Sequence, residues 1–275
     1  MRSRLINIFF IGLSIGSEAI YIHKGNANFL LLCVLIIFAT LCIALGGYLD
    51  NNHYDQVIDR ANGKKGIITS KKIIFTLYSS GVALGTIYSL LQSHGIWIKI
   101  LTHSFCFLLP AIVLHLYAST LSRYKGIGNI VIAGLCCFSL ALPGLTMLGT
   151  RKEYWIALSP FLVILFVSTY IREIAKDAED VKGDIAHGRI TLPFLLGNYF
   201  TSFFTILNFL VLALVVLGFG LYYNYTWIAI TLTSYLIVYN VLRKSLSWRK
   251  TQLAWKGFIA LGVLLRILFL HNDII

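Results

Sequence analysis

Nine apolar runs dominate this chain of 275 residues, each about as long as the roughly 20 residues that cross a membrane as a helix. Hydrophobic residues make up 58% of the chain and charged residues only 12%, far from the composition of a soluble globular protein. Lipid offers no hydrogen-bond partners to the backbone N–H and C=O groups, and a helix satisfies these groups within the segment itself. Such runs therefore predict helices. We therefore predict an all-α, polytopic membrane bundle of about nine transmembrane helices around a central cavity, as a single domain over residues 1–275. Some runs are short, so eight spans would also fit. The predicted spans are Leu5–Ile22, Phe29–Leu49, Ile73–Leu91, Ile98–Tyr117, Ile127–Leu148, Trp155–Ile171, Phe203–Tyr222, Trp227–Leu242 and Leu253–Leu270.

The basic residues lie mostly on one side of the predicted membrane. Lys and Arg number 23 against 11 Asp and Glu, which gives a net charge of +12. With the N-terminus in the cytoplasm, 18 of the 23 basic residues fall in cytoplasmic segments, and this asymmetry is the one that sets membrane topology. The positive charge is therefore a topology signal, and we predict no nucleic-acid partner.

Two sets of oxygen-bearing side chains repeat one spacing, a step of three residues and then a step of four. The first stripe is Asn52, Asp55 and Asp59, and the second stripe is Asp177, Asp180 and Asp184. On a helix both steps return to nearly the same face. We place the stripes in the two longest loops, Asp50–Lys72 and Arg172–Tyr199, on the cytoplasmic side. The repetition suggests two related halves whose cytoplasmic ends face one another.

Crowded carboxylates at a membrane need a compensating cation or a wet cavity. Hard oxygen ligands suit Mg²⁺, whose coordination is commonly completed by substrate phosphates. Basic residues follow each stripe and would neutralise the remaining phosphate charge. Phosphate at a membrane protein indicates a lipid-linked or prenyl substrate, so the pattern predicts Mg²⁺-assisted departure of diphosphate from a prenyl diphosphate donor. For one stripe alone, a solvated face with ordinary i,i+4 pairs is the alternative; two matched stripes disfavour it.

The residues around the second stripe resemble the second aspartate-rich motif of the UbiA-type membrane prenyltransferases. The segment 171–184 reads IREIAKDAEDVKGD, and Gly188 and the sequence TLP at 191–193 follow it. The segment 46–60, GGYLDNNHYDQVIDR, resembles the family's first motif, while Arg4 with Asn7 and Gly128 with Asn129 resemble its first and fifth helices. The resemblance is closest to the members known as geranylgeranylglycerol-phosphate geranylgeranyltransferases.

The resemblance implies a nine-helix bundle that carries out Mg²⁺-dependent prenyl transfer. It implies one Mg²⁺ on Asp55, Asp59 and Asn52, and another on Asp177, Asp180 and Asp184, with these five aspartates catalytic. The substrate-binding residues that it implies are Asn7, Asn51, Asn52, Lys64, Lys65, Tyr117, Arg123, Asn129, Arg172, Lys176 and Arg189.

Three places depart from the family's pattern. Asn52 stands where the family has its first Asp, so a negative charge is missing and we expect the second stripe to hold its metal more tightly. Lys64 and Lys65 follow the first stripe where the family usually has a Pro and an Arg, and they offer point charges without bidentate geometry. Ser122 falls where a basic residue is expected, with Arg123 one step along on a different helix face. These changes bear on rate, metal requirement and substrate.

We expect a membrane enzyme that transfers a geranylgeranyl-type prenyl group to a lipophilic acceptor, surrounded by membrane lipids and with its active site facing the cytoplasm. A prenylglycerol phosphate and an aromatic quinone precursor both fit as the acceptor. Two other functions stay open. A catalytically weakened homologue that binds prenyl lipids is favoured by Asn52, and a transporter is disfavoured because the carboxylates lie at span ends.

Overall fold

Helices account for almost all of the chain that the structure describes. In this computed structural model the described residues are 2–23, 28–61, 63, 69–123, 126–147, 152–222, 225–242 and 247–272, and these ranges contain no β-strand. Within them the α-helices are α1 (Arg2–His23), α2 (Phe29–Ala61), α3 (Lys71–Gln92), α4 (Trp97–Ser119), α5 (Ile127–Thr146), α6 (Lys152–Ala186), α7 (Leu192–Leu196), α8 (Phe200–Val215), α9 (Thr226–Leu242) and α10 (Trp248–Asn272). A π-helical segment, Val216–Tyr222, continues α8.

Eight of the helices in the described ranges are long and apolar enough to cross a membrane, and α9 is a shorter apolar helix. Each of these nine helices overlaps one predicted run, so the prediction of an all-α, multi-pass membrane protein is confirmed. Pro110, Pro143 and Pro160 lie inside α4, α5 and α6. Membrane helices tolerate such prolines because neighbouring groups satisfy the freed backbone atoms.

The helices α2 and α6 run far beyond the spans predicted within them. They have 33 and 35 residues, or about 50 Å each at 1.5 Å per residue, whereas the hydrocarbon core is about 30 Å thick. The placement of the stripes in loops was therefore wrong, since each stripe lies on the last turns of a long helix. Burial of Asn52, Asp55, Asp180 and Asp184 along these polar extensions explains why they stay helical, because helices in proteins are stabilised mainly by packing.

Two compact units make up the fold, and each holds one stripe. Unit 1 comprises Met1–Leu121, Phe138–Lys152 and Ile267–Ile275. In it α2 packs against α1, α3 and α4. A Cβ added at Gly81 would lie 2.6 Å from Ile43, and one added at Gly85 would lie 2.2 Å from Phe107. Small residues four apart thus let α3 approach its neighbours closely, and the first stripe extends from this core.

Unit 2 comprises Ser122–Cys137 and Glu153–Arg266. Aromatic side chains join its helices. The Trp248 ring of α10 lies 5.2 Å from the rings of Phe200 and Phe204 on α8, and Trp255 lies 5.6 Å from Tyr239 on α9. Tilted and edge-to-face arrangements of this kind are the favourable ones for aromatic pairs. The second stripe belongs to this unit, and the expectation of a single domain stays a prediction.

Candidate active site

The first stripe occupies the last turns of α2 in unit 1. Asn52 and Asp55 are buried there, whereas Asp59, one turn further along, is partly exposed. Asn51 donates from Nδ2 to Asp55 Oδ2 over 2.6 Å. The structure therefore brings the three predicted ligands onto one helix face, with Asn51 orienting one of the carboxylates.

Asp50 lies directly before this stripe, and sequence reasoning gave it no role. Its carboxylate is buried and accepts at Oδ2 from His115 Nδ1 over 2.8 Å and from the Tyr78 hydroxyl over 3.4 Å. A buried carboxylate near lipid needs such donors. These contacts tie α2 to α3 and α4 beside the stripe. The partners lie 65 and 28 residues away along the chain, so no local pattern signals them.

Two predicted substrate-binding residues of unit 1 lie on neighbouring helices. Asn7 on α1 donates from Nδ2 to the Tyr48 hydroxyl of α2 over 3.1 Å. Tyr48 precedes Asn52 by one turn, so this contact joins α1 to the face of α2 that carries the first stripe. Tyr117 is buried on α4.

The second stripe occupies the last turns of α6 in unit 2. Asp180 and Asp184 are buried, and Asp177 is partly exposed. Asn129, itself buried near the start of α5, donates from Nδ2 to Asp177 Oδ2 over 2.8 Å. A hydrogen bond to a charged group stabilises by about 1.5–3 kcal/mol, which holds the Asp177 side chain in one orientation. The predicted residue Asn129 thus belongs to the second stripe's surroundings.

Arg172 and Lys176, the predicted diphosphate contacts on α6, both lie against Glu173. Arg172 Nη2 donates to Glu173 Oε1, and Lys176 Nζ lies 3.9 Å from Glu173 Oε2. Glu173 is buried and precedes Asp177 by four residues, so it continues the second stripe one turn toward the membrane. Sequence reasoning gave Glu173 no role. The continued spacing of four, three and four residues from 173 to 184 could have identified it.

Gly188 forms the turn that follows the end of α6 at Ala186. Its φ is +69°, a conformation that glycine adopts without a steric penalty. The Gly188 N–H donates to the Ile185 carbonyl over 3.1 Å, and the Arg189 N–H donates to the Asp184 carbonyl over 2.9 Å. This pair of bonds is a Schellman motif. It fixes the backbone of the predicted substrate-binding residue Arg189 next to Asp184.

Three predicted substrate-binding side chains cannot be placed. Lys64 and Lys65 lie outside the described residues. Arg123 ends a short 3₁₀-helix, Leu121–Arg123, but its side chain is also outside the described part. In the described ranges, no group of three or more His, Cys, Asp or Glu side chains is close enough to hold a metal ion.

A match to a known protein family covers both stripes. The sequence profile of the UbiA prenyltransferase family matches residues 10–262. The chain belongs to the UbiA prenyltransferase family. The predicted resemblance is thereby confirmed, and this UbiA protein is a prenyltransferase and a multi-pass integral membrane protein.

Several relatives of this UbiA protein are named digeranylgeranylglyceryl phosphate synthase. The one from Methanococcus maripaludis is 32% identical over 240 residues, which cover 85% of this chain and 80% of the relative. The one from Thermococcus gammatolerans is 31% identical over 250 residues, 83% of each chain. The one from Sulfurisphaera tokodaii is 28% identical over 245 residues, 84% of this chain and 83% of the relative.

Two solved structures share the UbiA fold of this chain. One comes from work on digeranylgeranylglyceryl phosphate synthase in membranes, with a TM-score of 0.61, 23% identity and coverage of 97% of this chain and 98% of the other. The other is a UbiA homologue from Aeropyrum pernix K1, with a TM-score of 0.69, 14% identity and coverage of 94% and 97%. At these identities the likeness concerns the fold alone.

Proposed function

We propose that this UbiA enzyme transfers a geranylgeranyl-type group from a prenyl diphosphate to a prenylglycerol phosphate, with Mg²⁺, at the cytoplasmic face of the membrane. The observation that carries the proposal is the second stripe, whose carboxylates share one face of α6, with Arg172 and Lys176 beside that face on the same helix. The name shared by the relatives supports this donor and this acceptor. The excess of basic residues in the predicted cytoplasmic segments supports the orientation.

The oxygen ligands of both stripes fit magnesium. Mg²⁺ usually takes one or two carboxylates and keeps water or substrate phosphate at its other positions. Among the described side chains no three acidic, histidine or cysteine groups converge closely enough to hold an ion by themselves, so an ion on either stripe would depend on water or substrate phosphate for its other ligands. Asp177, Asp180 and Asp184 would hold one ion, and Asn52, Asp55 and Asp59 the other. The chemistry supplied there is neutralisation of the negative charge on the departing diphosphate.

The chain's own side chains order the site before substrate binds. Asn51 and Asn129 each hold one carboxylate of a stripe through hydrogen bonds of 2.6 and 2.8 Å. Arg172 would bind phosphate oxygens in a planar, bidentate manner, and Lys176 would act as a point charge. Carboxylates that are already held in one orientation need little reorganisation as the allylic C–O bond breaks.

Asn52 supports a second candidate function, binding of prenyl lipids by a homologue with weakened catalysis. An amide oxygen still ligates a cation, but the side chain lacks the carboxylate's charge. The aspartates of the second stripe are complete, which favours the enzymatic proposal.

Product analysis separates these functions. Membranes holding the native chain are incubated with Mg²⁺, labelled geranylgeranyl diphosphate and two acceptors, a prenylglycerol phosphate and an aromatic quinone precursor. We expect label on the prenylglycerol phosphate, and a loss of about a hundredfold or more in Asp180→Asn, the scale of removing one electrostatic group. Glu179→Gln removes a carboxylate from a different face of α6 and should keep native activity.

The outcomes are distinct. Incorporation at the background level by both the native chain and Asp180→Asn would contradict an enzymatic role and support lipid binding. Label on the quinone precursor alone would contradict the proposed acceptor. Full activity in EDTA would contradict the metal requirement.

A further inference from the structure

Glu173, Arg172 and Lys176 form a charge cluster within unit 2. The Glu173 side chain is only 9% exposed, and those of Arg172 and Lys176 are 13% and 34% exposed. Both cations engage the one carboxylate, Arg172 through Oε1 and Lys176 through Oε2. Lys256 of α10 also acts electrostatically on Glu173. Three positive groups therefore act on the Glu173 carboxylate, and one of them, Lys176, also acts on Asp177 one turn away.

The helix places this cluster at the membrane end of the second stripe. Glu173 lies one turn before Asp177 on the same face, while Arg172 and Lys176, four residues apart, follow one flank of that face. A diphosphate held at the second stripe would meet these two cations. They are the same cations that Glu173 engages when no diphosphate is present.

We propose that Glu173 is a positioning residue that exchanges Arg172 and Lys176 with the diphosphate, holding them in the empty site and taking them back as the product leaves. The inference rests on the proposed function, which makes diphosphate the product. No covalent bond changes in this step, since ionic contacts move from Glu173 to phosphate oxygens and return. Glu173 thus competes with bound diphosphate, which weakens product binding and speeds its release.

Two physical effects give the exchange its direction. A cation that is largely withdrawn from water is costly without an anion, so Glu173 keeps Arg172, 13% exposed, in place between turnovers and holds the more exposed Lys176 less firmly. A diphosphate carries more negative charge than one carboxylate, so it attracts Arg172 and Lys176 more strongly than Glu173 does when it binds. If Glu173 is replaced by an uncharged side chain, the diphosphate no longer competes with this carboxylate for the two cations and should bind more tightly.

Binding of inorganic diphosphate tests the exchange. The purified full chain in detergent with Mg²⁺ is titrated with inorganic diphosphate. Glu173→Gln should bind roughly tenfold more tightly than the native chain, the equivalent of about 1.4 kcal/mol. Glu173→Asp keeps the charge but withdraws it by one methylene and should bind about two- to fivefold more tightly. Glu179→Gln, which removes the same charge from another face of α6, should match the native chain.

Kinetics supply a readout that a purely structural role would not move. In Glu173→Gln, kcat should fall because product release slows, and the KM for the prenyl diphosphate should fall at least as much because the donor's diphosphate meets the same cations, while the single-turnover rate stays near native. A structural role would instead lower the single-turnover rate and the unfolding temperature.

The inference is wrong if Glu173→Gln binds inorganic diphosphate as the native chain does or more weakly. Should that variant not fold, Glu173→Asp decides, and unchanged or weaker binding overturns the inference. The binding measurement does not need prenyl transfer. A native chain that forms no product would contradict the proposed function, and the titration would still decide the role of Glu173.

Discussion

Replacing Asn52 by Asp restores the carboxylate that the first stripe lacks, and it should make the protein more dependent on Mg²⁺. Asn52 and Asp55 lie on one face of α2 and are 4% and 8% exposed. Cβ atoms three residues apart on a helix are about 5–6 Å apart, so the new charge lies close to Asp55.

The sign of the effect depends on the metal. Two unit charges about 6 Å apart interact by about 3 kcal/mol at an effective dielectric constant of about 20. Without Mg²⁺ this repulsion should destabilise the Asn52→Asp variant by roughly 1–3 kcal/mol. A bound Mg²⁺ offsets the repulsion and gains a charged ligand, so its half-saturating concentration should fall about tenfold, or about 1.4 kcal/mol.

Thermal unfolding in detergent, with Mg²⁺ or with EDTA, measures both effects. A change of 1 kcal/mol in the free energy of unfolding shifts Tm by about 2–4 °C for chains of comparable size. The difference between the Tm in Mg²⁺ and the Tm in EDTA should therefore be several degrees larger in Asn52→Asp than in the native chain. Asn240→Asp adds the same charge to α9, which carries no stripe, and should shift Tm equally in both media. A Mg²⁺ titration of prenyl transfer completes the comparison.

The reasoning is refuted if the Asn52→Asp variant has the same half-saturating Mg²⁺ concentration as the native chain and the same difference in Tm between Mg²⁺ and EDTA. That result would mean that position 52 does not face a metal ion. The asymmetry between the two stripes would then have no bearing on metal affinity.

Three further changes have definite expected outcomes. Asn129→Leu removes the donor to Asp177 and should lower the transfer rate about 10- to 100-fold, measured against unchanged expression and Tm. Gly85→Ala should lower the free energy of unfolding by about 1–3 kcal/mol through overpacking against Phe107. The control Gly134→Ala, with nothing within 4 Å of the new Cβ, should leave Tm unchanged or raise it. Equal shifts in Tm for the two variants would contradict the close packing at Gly85. Gly188→Ala should cost about 1 kcal/mol through its φ of +69° alone and slow transfer, and Gly188→Asn should restore part of both.

The spans could be predicted from the sequence because lipid leaves an apolar segment few alternatives to a helix. The ends of α2 and α6 could not. Their last turns are rich in Asp, Asn and Gly, which have modest helix propensity, and they read as loops. Packing decides in favour of the helix there, since Asn52 and Asp184 are almost fully buried.

The individual site residues could be predicted more readily than their contacts. Asn129 and Asp177 were each expected from the resemblance, but 48 residues separate them, and only the fold brings them into hydrogen-bonding distance. Asp50 was missed for the same reason, because its partners come from α3 and α4. Glu173 differs from these residues, because the local sequence spacing of residues 173, 177, 180 and 184 already indicates that it shares a helix face with the second stripe.

The uninterrupted length of α6 links catalysis to the lipid around the protein. One helix of 35 residues contains both the membrane span and the second stripe, and its internal proline, Pro160, lies well before the stripe, so a tilt or vertical shift of the span after Pro160 carries the carboxylates with it. Helices adjust their tilt to the hydrocarbon thickness at a cost of only fractions of a kcal/mol per Å. We therefore expect the rate of prenyl transfer to vary with acyl-chain length in reconstituted vesicles at equal substrate content. A rate that is constant across bilayer thicknesses would show that α6 keeps a single tilt.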